Sequence, residues 1–307
     1  MIDIAIIGAG PAGLTAGLYA ARGGADAVLF EEVFAGGQAA KTCQIDNYPG
    51  FAEGIEGSEL GIQMERQALR FGLSIKYDPV VKLDLLYPVK RIETSAGTVE
   101  AKTVILCTGA NSRKLGLANE EKLTGAGVSY CATCDGAFFR GKDVAVVGGG
   151  DTALSDALYL ARFASKVTLI HRRNELRGNY MLQKAVQEEP KITLALEQVV
   201  TELKGENLLE GLRLRHVGSK EEHEVSASGV FVAVGIEPRT DIVRGMLPLA
   251  AGGYIQTDAF MRTSIDGVYA AGDVRETPLR QIVTAVADGA IAATTALEYL
   301  AAPHPVK

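Results

Sequence analysis

Residues 4–32 read IAIIGAGPAGLTAGLYAARGGADAVLFEE, and residues 144–172 read VAVVGGGDTALSDALYLARFASKVTLIHR. The two stretches align without a gap. Each holds an apolar strand, a Gly-rich turn, a helical stretch and a second apolar strand, which together make a βαβ unit. The strands are apolar throughout instead of alternating, as in a parallel sheet that is covered on both faces. The repeat therefore predicts an α/β protein with two Rossmann-like dinucleotide-binding domains.

The Gly-rich turns of both copies match the dinucleotide-binding fingerprint, G-x-G-x-x-G with Ala permitted at the last position. The matching residues are Gly8, Gly10 and Gly13 in the first copy and Gly148, Gly150 and Ala153 in the second. The first position allows a tight turn, the second lets the backbone approach a pyrophosphate, and the third must be small for the helix and strand to pack. One such turn could be merely structural, whereas two in a full strand–turn–helix context indicate two nucleotide sites.

The two copies differ at the end of the second strand, where a Rossmann unit contacts the ribose of its nucleotide. The first copy has Glu31 there, which can accept hydrogen bonds from ribose hydroxyls and would repel a 2′-phosphate. The second copy has His171, Arg172 and Arg173, with Arg177 shortly after, and guanidinium groups bind phosphate through charge-assisted hydrogen bonds. The first site therefore suits FAD and the second NADPH. The alternative for Arg172 and Arg173 is a solvated cap at the strand end.

The position of the second copy divides the chain into domains. We expect residues 1–110 and 240–307 to form the FAD-binding domain, and residues 111–239 to form an inserted NADPH-binding domain. TVILCTGA, which ends at residue 110, and GVFVAVGIEP, which ends at residue 238, look like matching strands where the chain passes between the domains. Such exchange segments are candidate hinges.

The segment VSYCATCDGAFF, residues 128–139, carries Cys131 and Cys134 two residues apart. The pair could be a metal site, a structural crosslink or a redox couple. Structural zinc usually takes two such pairs, but Cys43 and Cys107 stand alone, so we expect no metal. Cys107 lies in an apolar strand, where a free Cys behaves as a buried hydrophobe, and Cys43 is expected to be a bystander. A C-x-x-C at a helix start suits disulfide geometry and depresses the thiol pKa, which favours the redox couple.

The composition is typical of a soluble globular protein, with 47% hydrophobic and 22% charged residues. The net charge is −6 and long basic runs are absent, so nucleic acid is not an expected partner. The N-terminus reads as a buried strand and not as a signal peptide, and no apolar run approaches about 18 residues. We therefore expect a cytoplasmic protein that does not enter a membrane, and persistent structural disulfides are rare in that compartment.

CATCDG followed by FF, the GGGDTA turn with HRR downstream, and the AAGD segment together resemble the bacterial low-molecular-weight thioredoxin reductases over nearly the whole chain. The resemblance implies FAD in the outer domain, NADPH in the inserted domain and a homodimer. Departures are small: Thr152 replaces a common Ser, Asn174 replaces a usual Asp, and RGNY replaces an RA-type continuation. Relatives that use ferredoxin lack the NADPH-binding basic residues, and HRR argues against that variant. An extra N-terminal disulfide-bearing domain is not expected, because the flavin strand begins at residue 4.

The family's cofactor contacts map onto residues of this sequence. For FAD they are Gly8, Gly10, Pro11, Ala12, Gly13, Glu31, Gly37, Gln38, Asn47, Thr108, Gly109, Gly272, Asp273, Arg280, Gln281 and Ile282. For NADPH they are Gly148, Gly150, Asp151, Thr152, His171, Arg172, Arg173 and Arg177. Asp273 is expected to hydrogen-bond the ribityl chain of the flavin, with a helix N-cap as the alternative role.

The resemblance also implies the catalytic roles. Electrons pass from NADPH to FAD, then to the Cys131–Cys134 disulfide, and then to oxidised thioredoxin. Cys134 faces the flavin, and Cys131 attacks the disulfide of the partner by thiol–disulfide exchange. Asp135 is the expected general acid, with a helix cap or a surface acid as the alternative. The disulfide must meet the flavin and, at another moment, the partner protein, and NADPH must also reach the flavin. One rigid arrangement cannot allow all three contacts, so we expect the inserted domain to rotate about segments near 110–114 and 238–242.

Other functions remain open at this point. The same enzyme could act on a glutaredoxin-like protein, or on a small-molecule dithiol that it oxidises with oxygen. A flavoprotein without disulfide chemistry, such as a ferredoxin–NADP reductase, would keep its activity after Cys131→Ser. A non-enzymatic redox sensor that binds NADPH would turn over slowly with every disulfide partner.

Overall fold

The structure is a computed structural model that describes residues 1–42 and 44–302. Its strands are β1 (Ile2–Ile7), β2 (Ala27–Glu31), β3 (Ser74–Tyr77), β4 (Val80–Asp84), β5 (Lys90–Thr94), β6 (Gly97–Leu106), β7 (Ala110–Ser112), β8 (Val128–Ser129), β9 (Asp143–Val147), β10 (Lys166–His171), β11 (Ile192–Leu196), β12 (Gln198–Lys204), β13 (Gly211–His216), β14 (Glu222–Ser226), β15 (Gly229–Val232), β16 (Ile236–Pro238) and β17 (Val268–Ala270). Its α-helices are α1 (Pro11–Arg22), α2 (Gly57–Arg70), α3 (Glu120–Leu123), α4 (Ala132–Asp135), α5 (Asp151–Ala161), α6 (Tyr180–Glu188) and α7 (Ile282–Ala301). Short 3₁₀ turns lie at Ala39–Lys41, Gly136–Phe139, Asp241–Val243 and Gly272–Val274.

The chain forms two compact units. The first comprises residues 1–111 together with the described residues from 237 onward, and the second comprises residues 112–236. The chain crosses from one unit to the other at β7 and returns at β16, and these two strands pair as a two-stranded ribbon. The second unit is therefore an uninterrupted insertion in the first.

The first unit is built on a mixed sheet in the order β3-β2-β1-β6-β5-β4, with β17 also pairing β6. β1 runs parallel to both β2 and β6, whereas β5 and β4 add an antiparallel edge. Strand β1 is thus the point where the strand order reverses direction. In open α/β sheets, ligands bind outside the carboxyl ends of the strands at such a point.

Both faces of this sheet are buried, because successive side chains of β1 enter different cores. Ile4 and Ile6 belong to a cluster with α1 and α7, whereas Ala5 and Ile7 belong to a cluster on the opposite face. This explains the unbroken apolar run in the sequence. Helices α1 and α7 approach closely, since a Cβ on Gly289 would lie 2.1 Å from the carbonyl oxygen of Ala12.

The second unit repeats the principle with a parallel sheet in the order β11-β10-β9-β15-β8. Strand β9 lies between β10 and β15, so the strand order reverses at the second Gly-rich turn. A separate antiparallel sheet, β12-β13-β14, completes the unit. The two parallel-sheet βαβ cores confirm the predicted α/β fold class.

None of the helices in the described part of the chain combines the length and the apolar character that a membrane span requires.

Candidate functional site

The first Gly-rich turn joins β1 to α1 and is lined so closely that only glycine fits at two positions. Gly8 has a φ of +105°, and a Cβ there would lie 2.5 Å from the carbonyl oxygen of Cys107. A Cβ on Gly13 would lie 1.8 Å from the carbonyl oxygen of Gly8. Gly10 differs, because no heavy atom lies within 4 Å of its Cβ position. The backbone at Gly10 is therefore open to a pyrophosphate at the start of α1.

Glu31 ends β2, and its carboxylate is bound to the backbone around the first Gly-rich turn. Its Oε2 accepts a hydrogen bond from the N–H of Ala9 at 2.7 Å. Its Oε1 accepts from the N–H groups of Glu32 and Val33 at 2.8 and 3.2 Å. Because a carboxylate has about four lone-pair positions, Glu31 retains capacity to accept a ribose hydroxyl.

The loop after Glu31 and the segment around 108 place further predicted FAD contacts beside the first Gly-rich turn. Gly37 packs on the turn, since its Cβ would lie 2.9 Å from the Cα of Gly10. The side chain of Gln38 donates to Asn111 at 2.8 Å. The Oγ1 of Thr108, which precedes Gly109, donates to the carbonyl of Arg239 at 2.7 Å.

Asn47 and Gln281, which are far apart in sequence, meet through a hydrogen bond of 3.0 Å from the Asn47 amide to the Gln281 Oε1. Gln281 is the N-cap of α7, and its backbone N–H bonds the hydroxyl of Thr284 in a capping box. Ile282 opens the helix. The first turn of α7 therefore holds two predicted contacts in a defined orientation.

The Gly272–Asp273 turn follows β17 and is fixed by residues that the sequence patterns do not reveal. Asp288, on α7 and only 7% exposed, accepts from the N–H of Gly272 at 3.1 Å. It also forms an ion pair with Arg275, with a nitrogen–oxygen distance of 2.8 Å. Asp273 lies inside the 3₁₀ turn, whose N-cap is Ala271, so Asp273 is not the helix cap given as its alternative role.

Two features beside the Gly272–Asp273 turn fit FAD. Burial raises the pKa of Asp273, while the charge of Arg280 opposes this and that of Asp288 adds to it. The Arg280 guanidinium lies 4.2 Å from the centre of the Tyr254 ring, and its Nε is buried with no hydrogen-bond partner among the described residues. A buried donor without a partner costs free energy unless a ligand accepts from it. Together with the open Gly10, the residues present fit an anionic, dinucleotide-like ligand such as FAD.

The second Gly-rich turn, between β9 and α5, repeats the geometry of the first. A Cβ on Gly148 would lie 2.4 Å from the carbonyl oxygen of Ala233 and 2.7 Å from the Cβ of Ala153. Gly150 has no heavy atom within 4 Å of its Cβ position. The small residue at the third fingerprint position is thus required by packing, and the second position is open to phosphate.

His171 packs its imidazole against this turn, since a Cβ on Gly149 would lie 2.3 Å from the His171 Nδ1. The residue is 6% exposed, and its Nε2 is buried and has no hydrogen-bond partner in the part of the chain that the structure describes. Burial lowers its pKa, and the charges of Arg177, Arg173 and Arg172 lower the pKa further. We therefore expect a neutral imidazole at neutral pH, in a strongly positive surrounding.

The side chains of Arg172, Arg173 and Arg177 are exposed, and no carboxylate of the described residues forms an ion pair with them. The backbone N–H of Arg177 donates to the carbonyl of Gly149 at 2.6 Å, which brings this segment to the turn. Three unpaired guanidinium groups beside an open Gly-rich turn fit the 2′-phosphate of NADPH.

Asp151 and Asn179 join the start of α5 to the start of α6. Asp151 Oδ1 accepts from the backbone N–H and the side-chain amide of Asn179 at 2.6 and 3.1 Å. Asn179 is also the N-cap of α6 and accepts from the N–H of Leu182. An Asn before a helical stretch is a recognisable N-cap signal, so this link was accessible from the RGNY segment. Thr152 lies exposed in the first turn of α5.

Cys131 and Cys134 form a disulfide with a Cα separation of 5.3 Å, within the expected range. Cys131 is the N-cap of the short helix α4 and Cys134 lies inside it. The N–H groups of Cys134 and Asp135 both donate to the carbonyl of Cys131, which closes the turn. The C-x-x-C is thus a disulfide at a helix start, as predicted.

Asp135 follows the disulfide and is partly buried. Burial raises the pKa of its carboxyl group, and a hydrogen bond from Ser129 opposes that rise. The Ser129 hydroxyl lies 2.6 Å from the Asp135 Oδ2. A carboxyl group that holds its proton more strongly than usual, beside a disulfide, suits a general acid. Sequence patterns did not reveal Ser129, because a Ser shortly before a C-x-x-C has no recognised signal.

A buried carboxylate, Glu120, supports the segment that carries the disulfide. It is 2% exposed and accepts from the N–H groups of Leu115 and Gly116 at 2.7 and 2.8 Å. It also accepts from the hydroxyl of Tyr130 at 2.8 Å. Tyr130 directly precedes Cys131, so Glu120 connects the start of the second unit to the redox pair.

Metal ligands do not cluster anywhere in residues 1–42 and 44–302, where no group of three or more Cys, His, Asp or Glu side chains could hold an ion. Cys107 is a buried free thiol, and burial raises its pKa. Cys43, which was expected to be a bystander, lies outside the described residues.

Comparison with known proteins finds relatives along almost the whole chain. The model of the pyridine nucleotide-disulphide oxidoreductase family matches residues 2–289. The thioredoxin reductase of Streptomyces coelicolor is 46% identical over 303 residues, which cover 98% of this chain and 94% of that protein. The thioredoxin reductase of Mycolicibacterium smegmatis is 45% identical over 300 residues, which cover 97% of this chain and 96% of that protein.

A solved structure agrees with these relatives. The crystal structure of thioredoxin reductase from Streptococcus pyogenes is similar with a TM-score of 0.92 and 44% sequence identity, over 98% of both chains. The match therefore extends to the fold as well as to the sequence. The chain belongs to the pyridine nucleotide-disulphide oxidoreductase family, within its thioredoxin reductases.

Proposed function

We propose that this protein is an NADPH-dependent thioredoxin-disulfide reductase. The reaction is NADPH + H⁺ + thioredoxin disulfide → NADP⁺ + thioredoxin dithiol. The observation that carries the proposal is the Cys131–Cys134 disulfide at the start of α4, in the same unit as a Gly-rich turn flanked by unpaired arginines. A disulfide accepts two electrons and NADPH donates two, so this pairing is chemically complete.

The first unit holds FAD and the second holds NADPH in this proposal. When bound, the two cofactors supply the hydride chemistry and relay electrons to the disulfide. Gly10 and Gly150 admit the phosphates, Glu31 accepts from a ribose hydroxyl, and the arginines after β10 bind the 2′-phosphate. Gly37 and Gly272 pack against the first turn and His171 against the second, which supports the assignment.

The redox segment divides the work among three side chains. Cys134 receives electrons from the flavin side, and Cys131 attacks the disulfide of thioredoxin through exchange. Asp135 protonates the thiolate that leaves, which the raised pKa of its carboxyl group favours.

The inserted unit rotates between half-reactions in this proposal, about segments near 110–114 and 238–242. The support is that the chain crosses between the units at two adjacent, paired strands, β7 and β16. A crosslink that fixes one orientation should leave one half-reaction working and stop the other; normal turnover of the crosslinked protein would exclude the rotation.

Thioredoxin is the proposed partner, because the relatives that cover nearly the whole chain carry that activity in their names. We further propose a homodimer in the cytoplasm. Sedimentation equilibrium of the purified protein decides the dimer, since a mass near 32.4 kDa would show a monomer. Cell fractionation decides the compartment, and recovery outside the cytoplasmic fraction would exclude it.

The decisive experiment measures NADPH oxidation by the purified FAD-loaded protein with oxidised thioredoxin as acceptor, in parallel with Cys134→Ser. We expect the variant to lose thioredoxin reduction by at least about 1,000-fold, because a lone thiol cannot cycle as a disulfide. Electron transfer from NADPH to ferricyanide should survive in the same variant, since it needs only the cofactors.

Other outcomes point elsewhere. Thioredoxin reduction that survives Cys134→Ser would exclude the disulfide route and favour a flavoprotein without disulfide chemistry. Ferricyanide reduction with no turnover on any thioredoxin would favour a glutaredoxin-like or small disulfide acceptor. Comparing NADPH with NADH in the wild type tests the arginines, and equal efficiency would contradict their role.

A further inference from the structure

Ser129, the last residue of β8, contacts both the redox pair and its neighbouring acid. The side chain is 4% exposed. Its hydroxyl oxygen lies 2.6 Å from the Asp135 Oδ2 and 3.3 Å from the Cys131 carbonyl oxygen. It also accepts the backbone N–H of Cys131 at 3.1 Å. A hydroxyl has a single hydrogen, so the shorter contact, to the charged carboxylate, takes it.

We propose that Ser129 is a positioning residue for Asp135, which holds the carboxylate beside the redox helix and stabilises its ionised form. Ser129 thereby sets the pH above which reduction of the disulfide loses its acid. This inference rests on the role of Asp135 in the proposed function. It does not depend on which disulfide protein is the acceptor.

The surroundings of Asp135 leave Ser129 as its main stabilising partner. Burial raises the pKa of Asp135, and among the described residues the Ser129 hydrogen bond is the interaction that lowers it. The 3₁₀ turn Gly136–Phe139 carries no titratable side chain. Helix α5, which packs against α4, carries Asp151, Asp156 and Tyr159. Asp151 is bound to the α6 N-terminus, whereas Asp156 is half-buried with a pKa raised by burial to about 6.

On the strand side, the titratable residue Tyr130 directly follows Ser129, and its hydroxyl donates to Glu120. Burial raises the pKa of Tyr130, so it stays protonated near neutral pH. The two cysteines do not titrate while they are bonded, and they become thiols only after reduction. Asp156 is therefore the group that an experiment must separate from Asp135.

The step that uses the acid is a thiol–disulfide exchange. An incoming thiolate forms a bond to the Cys131 Sγ, the bond between Cys131 and Cys134 breaks, and Cys134 leaves with the electron pair. Asp135 gives its carboxyl proton to this thiolate. Dithiothreitol reproduces the step without a cofactor, because its second thiol then releases Cys131 and closes an oxidised ring. Two electrons pass from dithiothreitol to the protein disulfide.

The test measures the rate at which dithiothreitol reduces the Cys131–Cys134 disulfide, expressed per dithiothreitol thiolate, between about pH 5 and 9. Samples of the FAD-loaded protein are quenched by alkylation and counted by mass spectrometry. In the wild type the rate per thiolate should fall as Asp135 ionises. In Ser129→Ala this fall should move up by about one pH unit, because the ionised form loses a charge-assisted hydrogen bond. Ser129→Thr, which keeps the hydroxyl, should restore the wild-type position.

Two further variants establish which carboxyl group causes the fall in rate. Asp156→Asn should leave the position of the fall unchanged, since Asp156 is a different carboxyl group. Asp135→Asn should remove the fall, and adding Ser129→Ala in that background should have no further effect on the pH dependence. This comparison remains informative if the extra methyl of Thr disturbs the buried site.

The inference is overturned if Ser129→Ala leaves the fall where it is in the wild type while the disulfide segment stays folded. A fall that persists in Asp135→Asn, or that moves in Asp156→Asn, would overturn it as well. The assay contains neither thioredoxin nor NADPH. Failure to reduce thioredoxin would therefore reject the proposed function, whereas the pH dependence of the dithiothreitol reaction would still test the role of Ser129.

Discussion

At the scale of single residues, three partly buried carboxyl groups share the same cause of a raised pKa but differ in the interactions that oppose it. Burial is the largest cause of the raised pKa at Asp135, Asp156 and Asp273. The Ser129 hydroxyl opposes the rise in the pKa of Asp135, and the Arg280 charge opposes it for Asp273. Asp156 has burial as the single cause of its shift, to about 6. A buried carboxyl group whose ionised form has no stabilising partner destabilises the fold at every pH at which it is ionised.

The effect of Asp156 on stability at each pH follows from its two pKa values, in the unfolded and the folded protein. The pKa of an Asp carboxyl group is 3.8 when it is free and about 6 for Asp156 in the folded protein, so folding favours the protonated form. The contribution of Asp156 to the free energy of unfolding is therefore most favourable below pH 3.8, and this advantage is lost as the pH rises through about 6. Asp156→Asn should therefore raise the free energy of unfolding by about 2–3 kcal/mol near pH 8, and by progressively less toward pH 4. Urea unfolding at several pH values measures this.

A matched control for that measurement is Asp241→Asn, because the Asp241 side chain is 87% exposed and its ion pair with Arg244 is a surface one. We expect a change within about 0.5 kcal/mol at every pH. A stabilisation by Asp156→Asn that does not depend on pH would show that the carboxyl group is not the cause.

At the scale of elements, the short segments around the disulfide are held by side chains instead of by long regular structure. Helix α3 is a single turn, yet it presents Glu120 to three backbone N–H groups and the Tyr130 hydroxyl. A buried carboxylate with four donors is fully satisfied, and removing it leaves several of those donors without partners.

Tyr130→Phe and Glu120→Ala should therefore differ in their cost to stability. Tyr130→Phe removes one hydrogen bond to a charged acceptor, and should lower the free energy of unfolding by about 1–2 kcal/mol. Glu120→Ala removes the acceptor of three partly buried N–H groups and a hydroxyl, and should cost more than Tyr130→Phe, at about 2–4 kcal/mol. Urea unfolding of both variants gives the order, and an equal or smaller cost for Glu120→Ala would contradict this account of the network.

The elements that the sequence predicts best are those whose chemistry is local. Gly8, Gly13 and Gly148 meet backbone within 2.5 Å of a Cβ position, and that constraint is visible as the fingerprint itself. The disulfide was visible because two cysteines stand at helical spacing. The contacts of Ser129 with Asp135 and of Asp288 with Arg275 were not predicted, because each depends on how a strand end or a turn meets a helix. Neither pair has a spacing that a short motif can encode.

At the scale of the whole molecule, the same architecture appears twice with opposite electrostatics. Each unit centres on a parallel strand, β1 or β9, whose carboxyl end opens into a Gly-rich turn. In the first unit the following strand ends in an acid, Glu31, and in the second it leads into exposed arginines. The two units also have separate hydrophobic cores. A continuous insertion with its own core should fold alone.

We therefore expect a fragment of residues 112–236 to fold and to bind adenosine 2′,5′-bisphosphate more tightly than 5′-AMP by at least about tenfold. Isothermal titration calorimetry measures both affinities. In the same fragment, Arg172→Ala with Arg173→Ala should remove most of the preference, whereas Arg162→Ala on the far end of α5 should not. A folded fragment that binds both ligands equally would show that the arginines do not read the 2′-phosphate.

The insertion of the second unit into the first also determines the order in which the two units can fold during synthesis. Strand β1 and its first neighbours are synthesised early, but β17 and α7, which complete their sheet and cover it, arrive only after residue 236. The inserted unit is finished before that and can close its own core first. While the inserted unit is being made, the nascent chain therefore carries a first sheet that still lacks β17 and the helix α7 that packs on α1 and β6. The part of the protein that begins first is the part that matures last.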